Sequence, residues 1–421
     1  MELVLLGLRS PPNPPSATRA GPTYVVVQTG KGAGHVKKGT DPRFLLFDTT
    51  NFFVEHPAGR LPARGHSKEK RYDKRLVGLG LVTVGDLPVL TEVYPGNQGD
   101  AKVFAEVFGT LAKRLIDLEV ATQRLILVFD RGINSTDNFD KVRGTMQVIA
   151  ALNRSPARRL FRTPLADFQE VAKDSEDRPM LGYPARWFGF EPEWRVLITY
   201  RKPLAEHEEA TWNDVRARVL TQLQEWWKKP SAKKDMLWRR LSQLAPRAFA
   251  AEFDVEVEEV STERRGRPAR GYLPKIRVIP VAEARLQSSF GKTAIITDLP
   301  RSELSDTELV EGFVTRGRIE EDFRWLKDRY AVSVKPFYLW HDATVPGHAF
   351  LCVMGLLMLR YLQWELRELK LSMKQLVEAL KGIKVVLIRT PEGKPKLVLE
   401  KMGVQENRVF KALDRQRMIP G

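Results

Sequence analysis

Cysteine is nearly missing from this chain: Cys352 is the only one in 421 residues. A single thiol excludes an internal disulfide and a multi-cysteine zinc site, and a reducing cytoplasm is the simplest home. Histidine is scarce too, at six residues. His66, His341 and His348 lack paired metal-ligand spacing, so each reads as structural. Cys352 lies mid-run in an apolar segment and reads as core. The longest apolar run, Ala349 to Leu359, is too short to cross a bilayer. Met1 to Leu8 is apolar but carries Glu2 and lacks a basic start, so it reads poorly as a signal peptide. No internal repeat is visible. Gly30-Lys31-Gly32-Ala33-Gly34 lacks the Lys-Ser/Thr that a phosphate loop requires.

What is present in excess is positive charge. Lysine and arginine outnumber the acids 68 to 52, a net charge of +16, which favours a polyanionic partner through counterion release. Genome composition or solubility is the plain alternative. With 43% hydrophobic and 29% charged residues the composition is that of an ordinary soluble protein, long enough for two or three cores.

Residues 1–40 stand apart, with Pro11-Pro12-Asn13-Pro14-Pro15 and a glycine-dotted basic stretch; they read as a flexible leader. From Phe44 the pattern sharpens. Phe44 to Thr50 is an apolar strand. Leu76 to Val84 and Pro88 to Tyr94 are two more, joined by Gly85-Asp86-Leu87 as a tight hairpin. Asp100 to Leu118 has helical spacing, and Leu125 to Phe129 is a fourth strand ending in Asp130. A helical crossover lays that strand parallel to the first. Asp48 and Asp130 then leave neighbouring strands close together.

Residues 151–292 are mixed and rich in tryptophan: Trp187, Trp194, Trp212, Trp226, Trp227 and Trp238. These could stack on an unpaired base, though core packing is the ordinary role of tryptophan. Arg195 to Tyr200 and Phe253 to Val260 read as strands and Trp212 to Trp227 as a helix. Thr293 to Thr297 is a strand, Asp306 to Tyr330 one long helix, and Ala349 to Leu366 a largely buried helix. The tail from 367 is basic. The tract Arg264-Arg265-Gly266-Arg267-Pro268-Ala269-Arg270-Gly271 could enter a minor groove. It reads more simply as an exposed hairpin tip whose Arg265 and Arg267 touch DNA backbone.

Phosphodiester chemistry commonly uses two divalent ions about 4 Å apart, clamped by carboxylates. Asp48 and Asp130 suit such a clamp, although an Asp that merely ends a strand is common. On a helix, Phe313, Arg316, Glu320 and Lys327 fall within about 60° of one another. Ile319, Phe323, Leu326 and Tyr330 form the adjacent apolar stripe, while Glu321 points roughly 100° away. An acid between two cations fits a metal ligand flanked by phosphate contacts. A helix laced with surface salt bridges gives the same pattern.

The spacing Phe313-x2-Arg316-x3-Glu320-x6-Lys327 resembles the Tyr-x2-Arg-x3-Glu-x6-Lys signature of bacterial insertion-sequence DDE transposases, with Phe313 where the family has tyrosine. Arg318-Ile319-Glu320-Glu321 is similar to that family's core. So are Phe47-Asp48-Thr49-Thr50-Asn51, Gly65-His66-Ser67-Lys68, Tyr94-Pro95-Gly96-Asn97 and Val128-Phe129-Asp130-Arg131-Gly132. The resemblance covers about residues 41–360 and rests on the ordered combination.

It implies an α/β fold: a ribonuclease H-like mixed sheet flanked by helices, interrupted by a strand-containing insertion domain. The expected divisions are 41–150, an insertion at 151–292, a second catalytic part at 293–366, and a tail at 367–421. It implies Asp48, Asp130 and Glu320 as the metal triad, with two Mg²⁺ ions (Mn²⁺ as substitute); Asp48, central on the sheet, is expected to bridge them. Arg316 and Lys327, with Arg318 and Arg324 on the same helix, would hold DNA. The implied partners are transposon ends and target DNA, with a homodimer assembled on them and neither a membrane nor a small-molecule cofactor. The implied reaction frees a 3′-hydroxyl that attacks target DNA. The family's DNA-end-binding domain is expected to be missing from residues 1–47. Two rivals stay open: a ribonuclease H-like nuclease without strand transfer, and a truncated, non-catalytic DNA-binding protein or inhibitor.

Overall fold

Strands form where the apolar runs are continuous, because a strand covered on both faces buries every side chain. In the computed structural model Phe44, Leu45, Leu46 and Phe47 are all buried, as are Ile126 to Phe129. The structure describes residues 2–5, 26–29 and 43–413, apart from 56–58, 69–70, 72, 118, 134, 188–193, 229, 245–246, 265–266, 329, 335–341, 390–392 and 394. His341, Arg265 and the Gly30–Gly34 stretch lie outside the described residues. The chain divides into two compact units, Met1–Ile149 with Gly312–Gly421, and Ala150–Glu311.

In the first unit β1 (Glu2–Leu5) pairs antiparallel with β2 (Val26–Thr29), within the stretch expected as a leader. The main sheet runs β5 (Leu87–Pro95), β4 (Arg75–Val84), β3 (Phe44–Val54), β6 (Ile126–Phe129), β7 (Gln147–Ala151). β3 is antiparallel to β4 and parallel to β6, the arrangement that the helical crossover predicts. That crossover is α1 (Asp100–Asp117), whose Val103, Phe104, Val107, Phe108, Leu111 and Leu115 are buried. Gly85, at φ +58°, takes the first central position of the two-residue β4–β5 turn, where a side chain would be strained. α2 (Thr136–Val142) follows, capped by Ser135.

The second unit contains α3 (Arg154–Ala157), β8 (Gln169–Lys173), β9 (Pro179–Trp187) and β10 (Trp194–Tyr200). Next come α4 (Lys202–Trp227), α5 (Lys234–Leu244), the hairpin β11 (Phe253–Arg264) and β12 (Arg267–Val278), α6 (Pro280–Gln287) and β13 (Lys292–Thr297). β13, expected to open the second catalytic part, pairs antiparallel with β10 inside this unit. Trp194 and Trp212 are buried, and the Trp212 indole donates to Glu283. Trp227 and Trp238 are exposed and Trp226 is half-buried. The side chain of Trp187 lies outside the described residues.

Three expectations need correcting. The long helix over Asp306–Tyr330 is two helices, α7 (Asp306–Val314) and α8 (Gly317–Lys327). At the break the Thr315 hydroxyl donates back to the Gly312 carbonyl, and the backbone tightens to i→i+3 bonds from Arg316, Arg318 and Ile319; such Ser/Thr back-bonding bends helices. Tyr330 does not belong to the buried stripe. Asp328 turns extended and accepts the Tyr330 amide, leaving that ring exposed beyond the helix end. Ile319, Phe323 and Leu326 are buried, and α8 packs on β3.

By length and composition α9 (Thr344–Glu365) could cross a bilayer, although the apolar run inside it is shorter. It packs on β5 and α8 and pairs a buried Arg360 with Asp322, yet it is not the largely buried helix its apolar run suggests. It is buried on one side only: Leu351 and Met358 are exposed. The tail folds as α10 (Met373–Gly382), with a Ser372–Gln375 capping box, the hairpin β14 (Val385–Arg389) and β15 (Pro395–Leu399), and α11 (Val404–Ala412).

Candidate active site

The β3–β6 register pairs Phe44 with Ile126, Leu45 with Leu127 and Leu46 with Val128. Asp48 stands two residues further along β3, and Asp130 directly follows the last residue of β6, Phe129. Burial pushes the Asp48 carboxyl up to about 6. Lys68, the Thr49 amide and Arg316 pull it down, and the neighbouring Asp130 pushes it up. Thr49 N donates to Asp48 Oδ1 at 2.7 Å. Asp48 is therefore the desolvated acid of the two, whereas Asp130 is 37% exposed.

Arg316, at the start of α8, links that helix to Asp130. Its Nη1 lies 2.8 Å from Asp130 Oδ2 and its Nη2 3.5 Å from Glu320 Oε1. The guanidinium also sits 5.3 Å from the centre of the Phe313 ring. Its buried Nε has no hydrogen-bond partner among the described residues. Glu320 is the most exposed of the three at 55%, against 37% for Asp130 and 19% for Arg316. Among the described residues no three His, Cys, Asp or Glu side chains converge on one ion position.

The other sequence candidates scatter more widely. Lys327 ends α8 with its ammonium 5.6 Å from the Phe52 ring centre. Arg324 is exposed. Arg318 donates to Asp86 Oδ1 at 2.8 Å in the β4–β5 turn. Arg267 is exposed on β12, paired in register with Arg264. Glu321 faces Arg360 at 3.3 Å, away from the triad as the helical angle requires. His348 Nε2 contacts the Val334 carbonyl, and burial pushes the Cys352 thiol up to about 11.

Sequence reasoning gave Lys68 no role. Its Nζ donates to the Thr49 carbonyl at 2.5 Å and to the Thr49 hydroxyl at 3.0 Å, and lies 3.9 Å from Asp100. Asn51 holds the loop that presents it, donating to the His66 carbonyl at 2.8 Å and accepting from the Lys68 amide at 3.2 Å. The motif Gly65-His66-Ser67-Lys68 was the available signal.

Residues 39–338 match the family described as Transposase DDE domain. The chain is also similar to a piggyBac transposase, seen by cryo-EM as a synaptic complex with hairpin DNA. Identity is 8% and the TM-score 0.39, over 81% of this chain and 52% of that one. The chain thus spans about half the length of that protein. No curated protein matches it. The family match takes in well over half of the sequence, and the chain belongs to the Transposase DDE domain family.

Proposed function

We propose that this chain is a DNA transposase catalytic core in which Asp48, Asp130 and Glu320 hold divalent metal beside the transposon end. The observation that carries this reading is the placement of one guanidinium, Arg316, against both Asp130 and Glu320, with Asp48 on the adjoining strand. Transposase DDE domains generally use divalent metal ions. The donor set fits such an ion, because carboxylate oxygens are hard ligands of the kind Mg²⁺ takes. A cation, the guanidinium, already sits against two of the three acids. Two Mg²⁺ ions are expected, with Mn²⁺ as a substitute; bound there they would supply Lewis-acid charge and make a water molecule easier to deprotonate.

The chain's own residues supply placement. Arg316 has a planar fork that suits phosphate as well as carboxylate. Lys327, on the same stripe as Glu320, adds a point charge for the backbone. Arg324, exposed on the same helix, adds a contact to flanking DNA; Arg267, and Arg265 outside the described residues, would meet DNA backbone in the second unit, and Arg318 would have to leave Asp86 to do so. Two DNA ends and a target must meet, so the assembly on DNA is at least a homodimer.

The test is a cleavage and strand-transfer assay with element-end DNA, a target plasmid and Mg²⁺ or Mn²⁺. Metal-dependent nicking and joining, lost in Glu320→Gln, are expected. Nicking without joining of a pre-cleaved end would make the chain a nuclease. Binding that survives chelation, without cleavage at any metal concentration, would make it a non-catalytic DNA binder.

A further inference from the structure

The first unit buries a second group of charges. Arg360 lies on α9 and is only 6% exposed. Its Nε and Nη2 approach Asp322 Oδ1 at 2.8 and 2.6 Å, and its Nη2 lies 3.3 Å from Glu321 Oε2. Its Nη1 donates to Gln363 Oε1 at 3.1 Å. Asp322 is 1% exposed; burial pushes its carboxyl up while Arg360 pulls it down. One turn earlier on α8, Arg318 holds Asp86 of the β4–β5 turn.

Both acids gripped by Arg360 directly follow Glu320. They stand about 100° and 200° round the helix from it. Arg318, four residues before Asp322, shares the stripe opposite Glu320. The apolar contacts of Ile319, Phe323 and Leu326 are non-directional and tolerate some rotation of α8. Ion pairs at two azimuths do not. A rotation of about 20° would carry a group some 5–6 Å from the helix axis by roughly 2 Å. Metal ligation tolerates only about 0.2 Å. A buried ion pair adds little stability over apolar residues of the same size, and fixing register is its best-attested use.

We propose that Arg360, acting through Glu321 and Asp322, is a positioning residue that sets the rotation of α8 and so aims Glu320 at Asp48 and Asp130. The inference rests on Glu320 being a metal ligand. Its test measures Mn²⁺ affinity of the full chain by electron paramagnetic resonance, together with thermal melting. The double substitution Arg360→Met with Asp322→Leu replaces the pair by apolar residues of similar size. It is expected to melt no lower than wild type yet bind Mn²⁺ about tenfold more weakly, in the range of other second-layer changes at metal sites. A folded double variant with wild-type Mn²⁺ affinity would overturn the proposal. Should that variant not fold, Arg360→Lys keeps the charge but loses the fork. A severalfold weaker affinity is expected there, and wild-type affinity would again overturn the proposal. Glu320→Gln is the control: if it leaves Mn²⁺ affinity unchanged, the triad reading itself fails and takes the positioning role with it.

Discussion

Two arginines each bridge a pair of acids on or beside the same helix, and they differ in how completely they are held. Arg360 is enclosed, with Nε, Nη1 and Nη2 all engaged and Asp322 sealed from water. Arg316 is half-buried, has one donor without a partner among the described residues, and faces Glu320 and Asp130 that are 55% and 37% exposed. The first arrangement fixes geometry. The second leaves a cation beside acids that solvent, metal or phosphate can reach. The difference separates the back of α8, which locates the helix, from its front, which carries the proposed chemistry.

The largest effect should come from the front. Glu320→Gln or Asp130→Asn is expected to abolish nicking of end DNA, well beyond the ~10–100-fold typical of outer-layer changes. Retained metal-dependent cleavage in either would dissolve the front as an active site. The back should dominate stability. Arg360→Ala leaves a buried carboxylate alone and should cost about 3–5 kcal/mol in urea unfolding. Arg316→Ala, whose partners are solvated, should cost about 1 kcal/mol or less. Equal losses would erase the contrast.

Asp48 gives a pH test with a definite sign. Its folded pKa, about 6, lies above the ordinary 3.8. The folded state therefore binds the proton more tightly, and this group's contribution to stability falls as pH rises from about 4 to 6. Asp48→Asn should melt a few degrees higher than wild type at pH 8, with the difference vanishing below about pH 4, while cleavage is lost. An unchanged melting point at pH 8 would show that Asp48 is not desolvated. The smallest effect concerns DNA. Lys327→Ala should lower the slope of log affinity against log salt by roughly 0.7–0.9, one phosphate contact, and Arg360→Lys should not change it.

Much of the fold was legible because the signals were local. The buried runs at Phe44–Phe47 and Ile126–Phe129 gave the parallel pair, and Gly85-Asp86 gave the hairpin. The break between α7 and α8 was not, because a threonine back-bond leaves no proline in the sequence and Gly317 alone is tolerated in helices. In the candidate site, the i,i+4 relation of Arg316 and Glu320 could be read from helical angle. The approach of Arg316 to Asp130 needed the tertiary fold. Arg360 left a signal that went unused: a charge inside an apolar helix needs a partner. Lys68 reaches Thr49 only through a loop held by Asn51, which no periodicity reports.

The central claim is that three carboxylates separated in sequence share a divalent metal ion. The most direct measurement is anomalous scattering from crystals of the full chain grown with Mn²⁺. The account predicts density ligated by Asp48 and Asp130, with Glu320 completing the set and Arg316 drawn off the acids. Mn²⁺ bound elsewhere, or absent while Arg316 stays against Asp130 and Glu320 at millimolar metal, would contradict it.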